Sequence, residues 1–260
     1  MYQTLKNRIV GTPLEPLARA LVRIVRRRAP QDTVAELNRL YDSQAESVMQ
    51  RVLEPTSNCV DVGCHEGSIV DLMLQSAPDG EIHAFEPLPH LFAVLTEKYA
   101  SSKRIHLYRA ALSDTPGTAT FNHVVASPAL SGLRARYYGE SPGPIEKITV
   151  ELLRLDDVLP PGHDVRLIKI DVEGAELQVL RGATETLGRC RPYVIFEHGL
   201  GGADHYGTRP EMVHDLLTAA GLRVSLMADW LRMPDAPGFS REAFADQFDR
   251  GLNFYYLAHP

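Results

Sequence analysis

The chain has 260 residues, 27 basic and 33 acidic side chains, a formal net charge of −6, 44% apolar residues and 23% charged ones. These are values of a soluble globular protein with enough chain to bury a substantial core. They exclude a disordered chain, a collagen-like repeat and a disulfide scaffold, and the acidic balance argues against general nucleic-acid binding.

In chain order, residues 1–30 come first. Seven basic residues (Lys6, Arg8, Arg19, Arg23, Arg26, Arg27, Arg28) face one acid, Glu15, a local charge of +6 that leaves −12 for the rest. Leu14, Leu17, Leu21 and Val25 recur beside them at helical spacing, predicting a basic amphipathic helix. Packing on the domain or in a homodimer contact is the favoured use; peripheral contact with an anionic membrane face is the other. A second helix is predicted over residues 33–53, stopped by Pro55. Residues 1–54 are therefore taken as a helical extension and 55–260 as the main domain.

Predicted strands follow at Cys59–Val62, Glu81–Phe85, Ile105–Ala110, Thr118–Val124, Lys147–Leu153, Leu167–Ile170, Tyr193–Phe196, Arg223–Met227 and Phe254–Ala258. Predicted helices are Ser68–Gln75, Leu88–Ala100, Ala175–Leu187 and Pro210–Ala220. The alternation implies an α/β, doubly wound, mostly parallel sheet. Ser127–Pro144, rich in Gly, Pro, Ser and Arg, interrupts it as a surface loop or a lid. The stretch Trp230–Phe248 is expected to be exposed, as a lid or dimer contact. Cys59, Cys64 and Cys190 have no CxxC spacing, which predicts free thiols and a reducing, cytoplasmic location. No run of ~18 apolar residues occurs, and residues at the start lack the apolar core of a secretory leader, so no membrane span is expected.

The strand Cys59–Val62 runs into a turn bracketed by Gly63 and Gly67, and the next strand ends at Glu86. An acid there can accept hydrogen bonds from both ribose hydroxyls, which points to an adenosine-containing cofactor. A dinucleotide needs a glycine where His65 stands, and Asp61 and Glu66 would repel a pyrophosphate. The same carboxylates suit a cationic ligand, so S-adenosyl-L-methionine is favoured over NAD. An NAD-dependent oxidoreductase and a non-catalytic binding module are the competing readings.

In the second half, Asp171, Glu173 and Glu176 follow an apolar strand, and Glu197-His198 follow another. If those strands are neighbours, Asp171, Glu197 and His198 converge. They can hold Mg²⁺ or Mn²⁺, or work without metal, with His198 or Glu173 as general base. Arg134, Arg136, Tyr137 and Tyr138 are candidate contacts to a polar substrate.

At this point the chain resembles the FkbM family of class I S-adenosylmethionine-dependent methyltransferases, from about Tyr41 to Leu200. The resemblance rests on Val60-Asp-Val-Gly-Cys-His-Glu-Gly67, Phe85-Glu-Pro87, Ala110-Ala-Leu-Ser-Asp114, Leu155-Asp-Asp157, Ile168-Lys-Ile-Asp-Val-Glu-Gly-Ala-Glu176 and Leu180-Arg-Gly-Ala183. It implies a seven-stranded sheet whose last strand, Phe254–Ala258, is antiparallel. It implies methyl transfer to a hydroxyl of a sugar, glycolipid or natural-product intermediate. Carried over by position, Asp61, Gly63, His65 and Gly67 belong to the methionine end, Glu86 to the ribose, and Ala111, Leu112 and Asp114 to the adenine. Cys64 and His65 stand where the family more often has Ala and Asn. The Asp171, Glu197 and His198 set resembles the metal triad of other O-methyltransferases.

Overall fold

A computed structural model describes residues 31–138 and 143–260 of the chain. The basic helix expected within residues 1–30 lies outside the described residues. Seven strands form the main sheet: β1 (Cys59–Val62), β2 (Ile82–Phe85), β3 (Ile105–Tyr108), β7 (Leu167–Ile170), β8 (Tyr193–Glu197), β9 (Arg223–Ser225) and β10 (Tyr255–His259). Their order is β3-β2-β1-β7-β8-β10-β9. Only β10 runs against its neighbours, as expected of the segment around Phe254–Ala258. The central strands are four or five residues long and buried on both faces, so they read as continuous apolar runs.

Two apolar layers cover the sheet. Val60, Val62, Ile168, Ile170, Val194 and Phe196 point to one side. Cys59, Leu167, Ile195 and Leu257 point to the other, where α1 (Gln31–Val52) lays down Tyr41, Ala45, Val48, Met49 and Val52. Each buried aliphatic there contributes about 1.5–3 kcal/mol. This helix is thus built into the core of the domain body. Arg51 fastens it, donating to the Leu231 carbonyl at 2.7 Å and lying 5.3 Å over the Trp230 ring.

β4 (Ala110–Leu112), β5 (Gly117–Val124) and β6 (Ile145–Leu153) form a separate three-stranded sheet. The predicted strand Ile105–Ala110 is therefore divided: β3 stays in the main sheet, and Ala110 starts a strand paired with β6. The predicted helix Ala175–Leu187 is also divided, into α5 (Glu176–Arg181) and α6 (Thr184–Cys190). A Cβ at Gly182 would lie 2.1 Å from the Ser113 carbonyl oxygen, so the chain bends at a close backbone approach. The remaining helices are α2 (Ser68–Ser76), α3 (Pro89–Lys98), α4 (Leu155–Val158), α7 (Pro210–Ala219), α8 (Met227–Arg232) and α9 (Arg241–Asp249).

The predicted strand Arg223–Met227 ends at Ser225, and Met227 opens α8. The expectation that Trp230–Phe248 is exposed is corrected. Trp230, Phe244 and Phe248 are buried in α8 and α9, and the Ser240 hydroxyl caps α9 by accepting from the Ala243 amide at 3.2 Å. Among the described residues, no helix is long and apolar enough to cross a membrane.

Candidate active site

β1, β2 and β7 lie side by side in register, Val62 opposite both Phe85 and Ile170. Their carboxyl ends therefore open onto one rim. The chain moves outward from β1 to β2 on one side and returns through β7 on the other. Strand order reverses between β1 and β7, where doubly wound folds hold their ligands. A cleft occupies this position, lined among others by Gly63, His65, Glu86, Leu88, Ala111, Leu112, Phe121, Leu133, Asp171 and Glu173.

Gly63 shapes its floor. Its φ is +81°, and a Cβ would stand 2.1 Å from the Asp171 carbonyl oxygen, so the turn after β1 passes over the end of β7 only as glycine. His65 follows with φ 49°, a left-handed conformation rare outside glycine. Its backbone amide donates to Glu86 Oε2 at 3.0 Å, and the Leu88 amide donates to Oε1 at 2.8 Å. Two backbone donors thus fix the Glu86 carboxylate, and each oxygen keeps a lone pair for a ligand hydroxyl. Burial pushes Glu86 up to about 7; the two amides oppose the shift and Asp61 adds to it.

The other residues assigned to the cofactor divide. Ala111 and Leu112 line the cleft. Asp61, Gly67 and Asp114 do not line it. Asp61 is wholly buried, opposite Lys169 in register, and neither carboxylate oxygen has a hydrogen-bond partner among the described residues. Burial raises it to about 6, with Lys169 opposing and Asp171 adding. Gly67 starts α2 and accepts from the Tyr99 hydroxyl at 2.8 Å. Asp114 is partly exposed, 3.9 Å from Arg181.

The β7 side carries the polar cluster. Asp171 Oδ2 accepts from Lys169 Nζ at 2.9 Å and also from the Tyr255 hydroxyl. Burial alone would raise Asp171, but the Lys169 ammonium and these hydrogen bonds hold it below the ordinary carboxylate range. Glu197 is pushed well up, first by burial and then by Glu173 and Asp171. Glu173 takes φ 61°, which turns its carboxylate to Arg136. Burial raises Glu173 to about 8 although Arg136 opposes the shift. Glu176 accepts from the Gly174 amide at 2.9 Å and closes the turn into α5. The segment after β5 lies over this cluster: Arg136 pairs with Glu173, and the Arg134 amide donates to the Tyr206 hydroxyl at 3.0 Å. Residues 139–142 lie outside the described residues.

The expected convergence of His198 is corrected. Successive residues of a strand point to opposite faces. Glu197 faces the Asp171 cluster, so Phe196 and His198 turn into the other layer. The His198 ring stacks on Phe248 at 4.8 Å and on Phe244 at 5.8 Å, with both ring nitrogens unpartnered. Burial pushes it down to about 3, so it is a neutral core side chain. The oxygens that do lie within 4.8 Å of one another belong to Asp171, Glu173 and Glu197. Three oxygens suit a hard divalent ion. Here, however, Lys169 and Tyr255 occupy Asp171 Oδ2, and Arg136 occupies Glu173. The cluster is balanced by the chain's own cations, so these residues do not fit a resident Mg²⁺ or Mn²⁺.

Lys169 and Tyr255 were not among the residues read from the sequence. The signal for Lys169 was present: a lysine inside a four-residue apolar strand is almost never buried unless paired. Tyr255 gave no such signal.

The fold and this rim define a doubly wound α/β protein with its crevice at the carboxyl edge of β1, β2 and β7. The chain belongs to the FkbM methyltransferase family, whose domain (Methyltransferase FkbM domain) matches residues 61–224. It is 31% identical over 153 residues to the 2-O-methyltransferase NoeI of Sinorhizobium fredii, covering 53% of this chain and 62% of that protein. It is 31% identical over 202 residues to the hexuronic acid methyltransferase AglP of Haloferax volcanii, covering 75% and 77%. The methyltransferase sdnD of Sordaria araneosa is 32% identical over 155 residues, covering 48% and 60%. The chain therefore matches about three fifths of the length of NoeI and sdnD. Among solved structures, methyltransferase FkbM from Methylobacillus flagellatus aligns over 83% of this chain and 50% of its own, at 13% identity and a TM-score of 0.48.

Proposed function

We propose that the protein is an S-adenosyl-L-methionine-dependent O-methyltransferase whose acceptor is a hydroxyl of a sugar or of a sugar-bearing natural product. The observation that carries this reading is the Glu86 carboxylate, held at the cleft by two backbone amides with a lone pair left on each oxygen. That arrangement fits the two hydroxyls of a ribose. Leu112 and Ala111 offer an apolar wall to an adenine. When bound, S-adenosyl-L-methionine supplies a methyl group already activated by its sulfonium. Family membership and the name of the 2-O-methyltransferase NoeI support methyl transfer to oxygen, and the name of the hexuronic acid methyltransferase AglP supports the acceptor class.

The chain must then position the acceptor oxygen and take its proton. A sugar hydroxyl ionises far above neutrality, so a base near the working pH is effective. Glu173 lines the cleft, and its acidity near pH 8 suits that role once Arg136 yields to the substrate. With the cofactor bound, the donor's sulfur–methyl bond would break as the oxygen–methyl bond formed, S-adenosylhomocysteine would leave, and a Glu173 carboxylate oxygen would take the hydroxyl proton. Asp171, fixed by Lys169 and Tyr255, is already ionised and is suited to orient the acceptor by accepting a hydrogen bond. The test is methyl transfer from labelled S-adenosyl-L-methionine to a saccharide panel that includes hexuronic acids. Label in an ether-linked methyl group supports the reading; cofactor binding with no acceptor in any panel supports a binding module instead.

A further inference from the structure

A second cluster of ligating side chains lies away from the cleft, on the amino side of the sheet. His83 of β2 stands opposite His106 of β3 in register, their rings stacked with centroids 4.7 Å apart. Glu81 immediately precedes β2, and its Oε2 is 3.5 Å from His106 Nε2 and 3.9 Å from His163 Nδ1. His163, on the connection into β7, sets its ring edge-on to His83 at 5.0 Å. The rim residue Glu86 is three positions further along β2, about 10 Å at the rise of a strand.

We propose that Glu81, His83, His106 and His163 form a binding site for one divalent transition-metal ion of the zinc type. Ligand atoms of Glu81, His83 and His106 already lie within 4.8 Å of one another. The independent observation is that the Nε2 atoms of all three histidines are buried and without a hydrogen-bond partner among the described residues. His83 itself is only 2% exposed. Its other nitrogen is already engaged, because Nδ1 lies 3.0 Å from the Tyr108 hydroxyl. In the tautomer that metal ligation requires, Nδ1–H donates to Tyr108 and leaves the Nε2 lone pair available, the usual outer-sphere arrangement of a ligating histidine.

Imidazole nitrogens with one carboxylate select zinc-type ions over magnesium or calcium, which want oxygens. Zn–N and Zn–O bonds of about 2.0–2.1 Å need the ligand atoms closer together than they stand here. Glu81 and His106 are partly exposed and have room to rotate inward. The backbone is anchored for this: the Glu81 amide donates to Asn58 Oδ1 at 2.9 Å, and Arg189 donates to the His163 carbonyl at 2.7 Å. Bound there, the ion would clip β2, β3 and the entry to β7 together, and by linkage stabilise the folded chain.

The experiment uses the whole chain without a polyhistidine tag, stripped with a chelator. Co²⁺ is titrated while visible absorption is followed, and thermal melting is recorded with and without Zn²⁺. The expected result is one equivalent of Co²⁺ giving ligand-field bands that Zn²⁺ abolishes, and a higher Tm with Zn²⁺. Glu81→Gln and His106→Gln, at partly exposed positions, should each weaken Co²⁺ binding by at least about tenfold while leaving the far-UV spectrum unchanged. Absence of both bands and Tm shift overturns the proposal. So does binding that survives both substitutions unchanged, or binding lost instead in Asp171→Asn, which would place the ion in the cleft.

Discussion

The Lys169 ammonium stands 2.9 Å from the Asp171 carboxylate, and the Tyr255 hydroxyl donates to the same oxygen. Lys169 is also the register neighbour of Asp61, whose oxygens have no hydrogen bond. One buried cation thus offsets two acids from adjacent strands. Breaking a buried pair leaves an uncompensated charge. Lys169→Met should cost roughly 3–5 kcal/mol of stability in urea unfolding. A loss under about 1 kcal/mol, the range of an exposed pair, would show that the lysine does not offset these acids. Tyr255→Phe, which removes one donor, should cost only about 1–3 kcal/mol.

Glu86 must be ionised to accept from two ribose hydroxyls. Its pKa is displaced upward to about 7, so the competent form is lost as pH falls through that value. Affinity for S-adenosylhomocysteine should fall by up to about tenfold per unit below pH 7, the limit for one coupled proton. Glu86→Gln should weaken binding by at least about tenfold and remove this dependence. Isothermal titration at several pH values checks both.

Turnover should rise with pH and level off above about 8, because Glu173 accepts a proton only when ionised. Glu173→Gln should lower kcat by about 10²–10⁴-fold, the usual worth of general acid–base catalysis. S-adenosylhomocysteine affinity should stay within a few-fold. A variant with wild-type kcat and an unchanged pH profile would remove Glu173 from the chemistry.

Stability should also respond to pH in an unusual direction. Glu173, Glu176 and Glu197 all have raised folded pKa values, so the folded chain binds more protons than the unfolded one above the ordinary glutamate range. Stability from these groups is present at low pH and declines as pH rises through their folded values. The buried His83 and His198, depressed to about 4 and about 3, act oppositely but only below the ordinary histidine value. Between pH 6.5 and 8.5 the carboxylates act alone, and Tm should fall. Glu176→Gln, measured by scanning calorimetry, should flatten that fall.

His198→Phe should leave turnover and cofactor affinity within about twofold, since the ring packs on Phe244 and Phe248 and its nitrogens make no hydrogen bond. Replacing unpaired buried polar atoms with apolar ones is close to neutral or stabilising. Loss of turnover with intact folding would return His198 to the active site.

The apolar runs around Val60, Ile168 and Val194 were legible because a parallel sheet buried on both faces leaves continuous hydrophobic strands. Gly63 and Glu86 were legible because a turn over a ligand and a ribose contact demand those residue types at that spacing. His198 was misplaced because nearness to Glu197 was read as convergence, whereas adjacent residues of a strand take opposite faces. The separation of Ala110 from β3 and the bend at Gly182 depend on contacts with Glu151 and Ser113, far away in the chain, which no local pattern records. The packing of Trp230 and Phe244 was likewise hidden: prolines and glycines between them suggested an exposed loop, while the sheet offered a face to bury them.

The most direct measurement is calorimetric titration of the unaltered protein with S-adenosylhomocysteine, with NADH titrated in parallel. An adenosyl cleft gripped through Glu86 predicts saturable one-to-one binding of S-adenosylhomocysteine and no heat from NADH. Saturation by NADH with none by S-adenosylhomocysteine would contradict it.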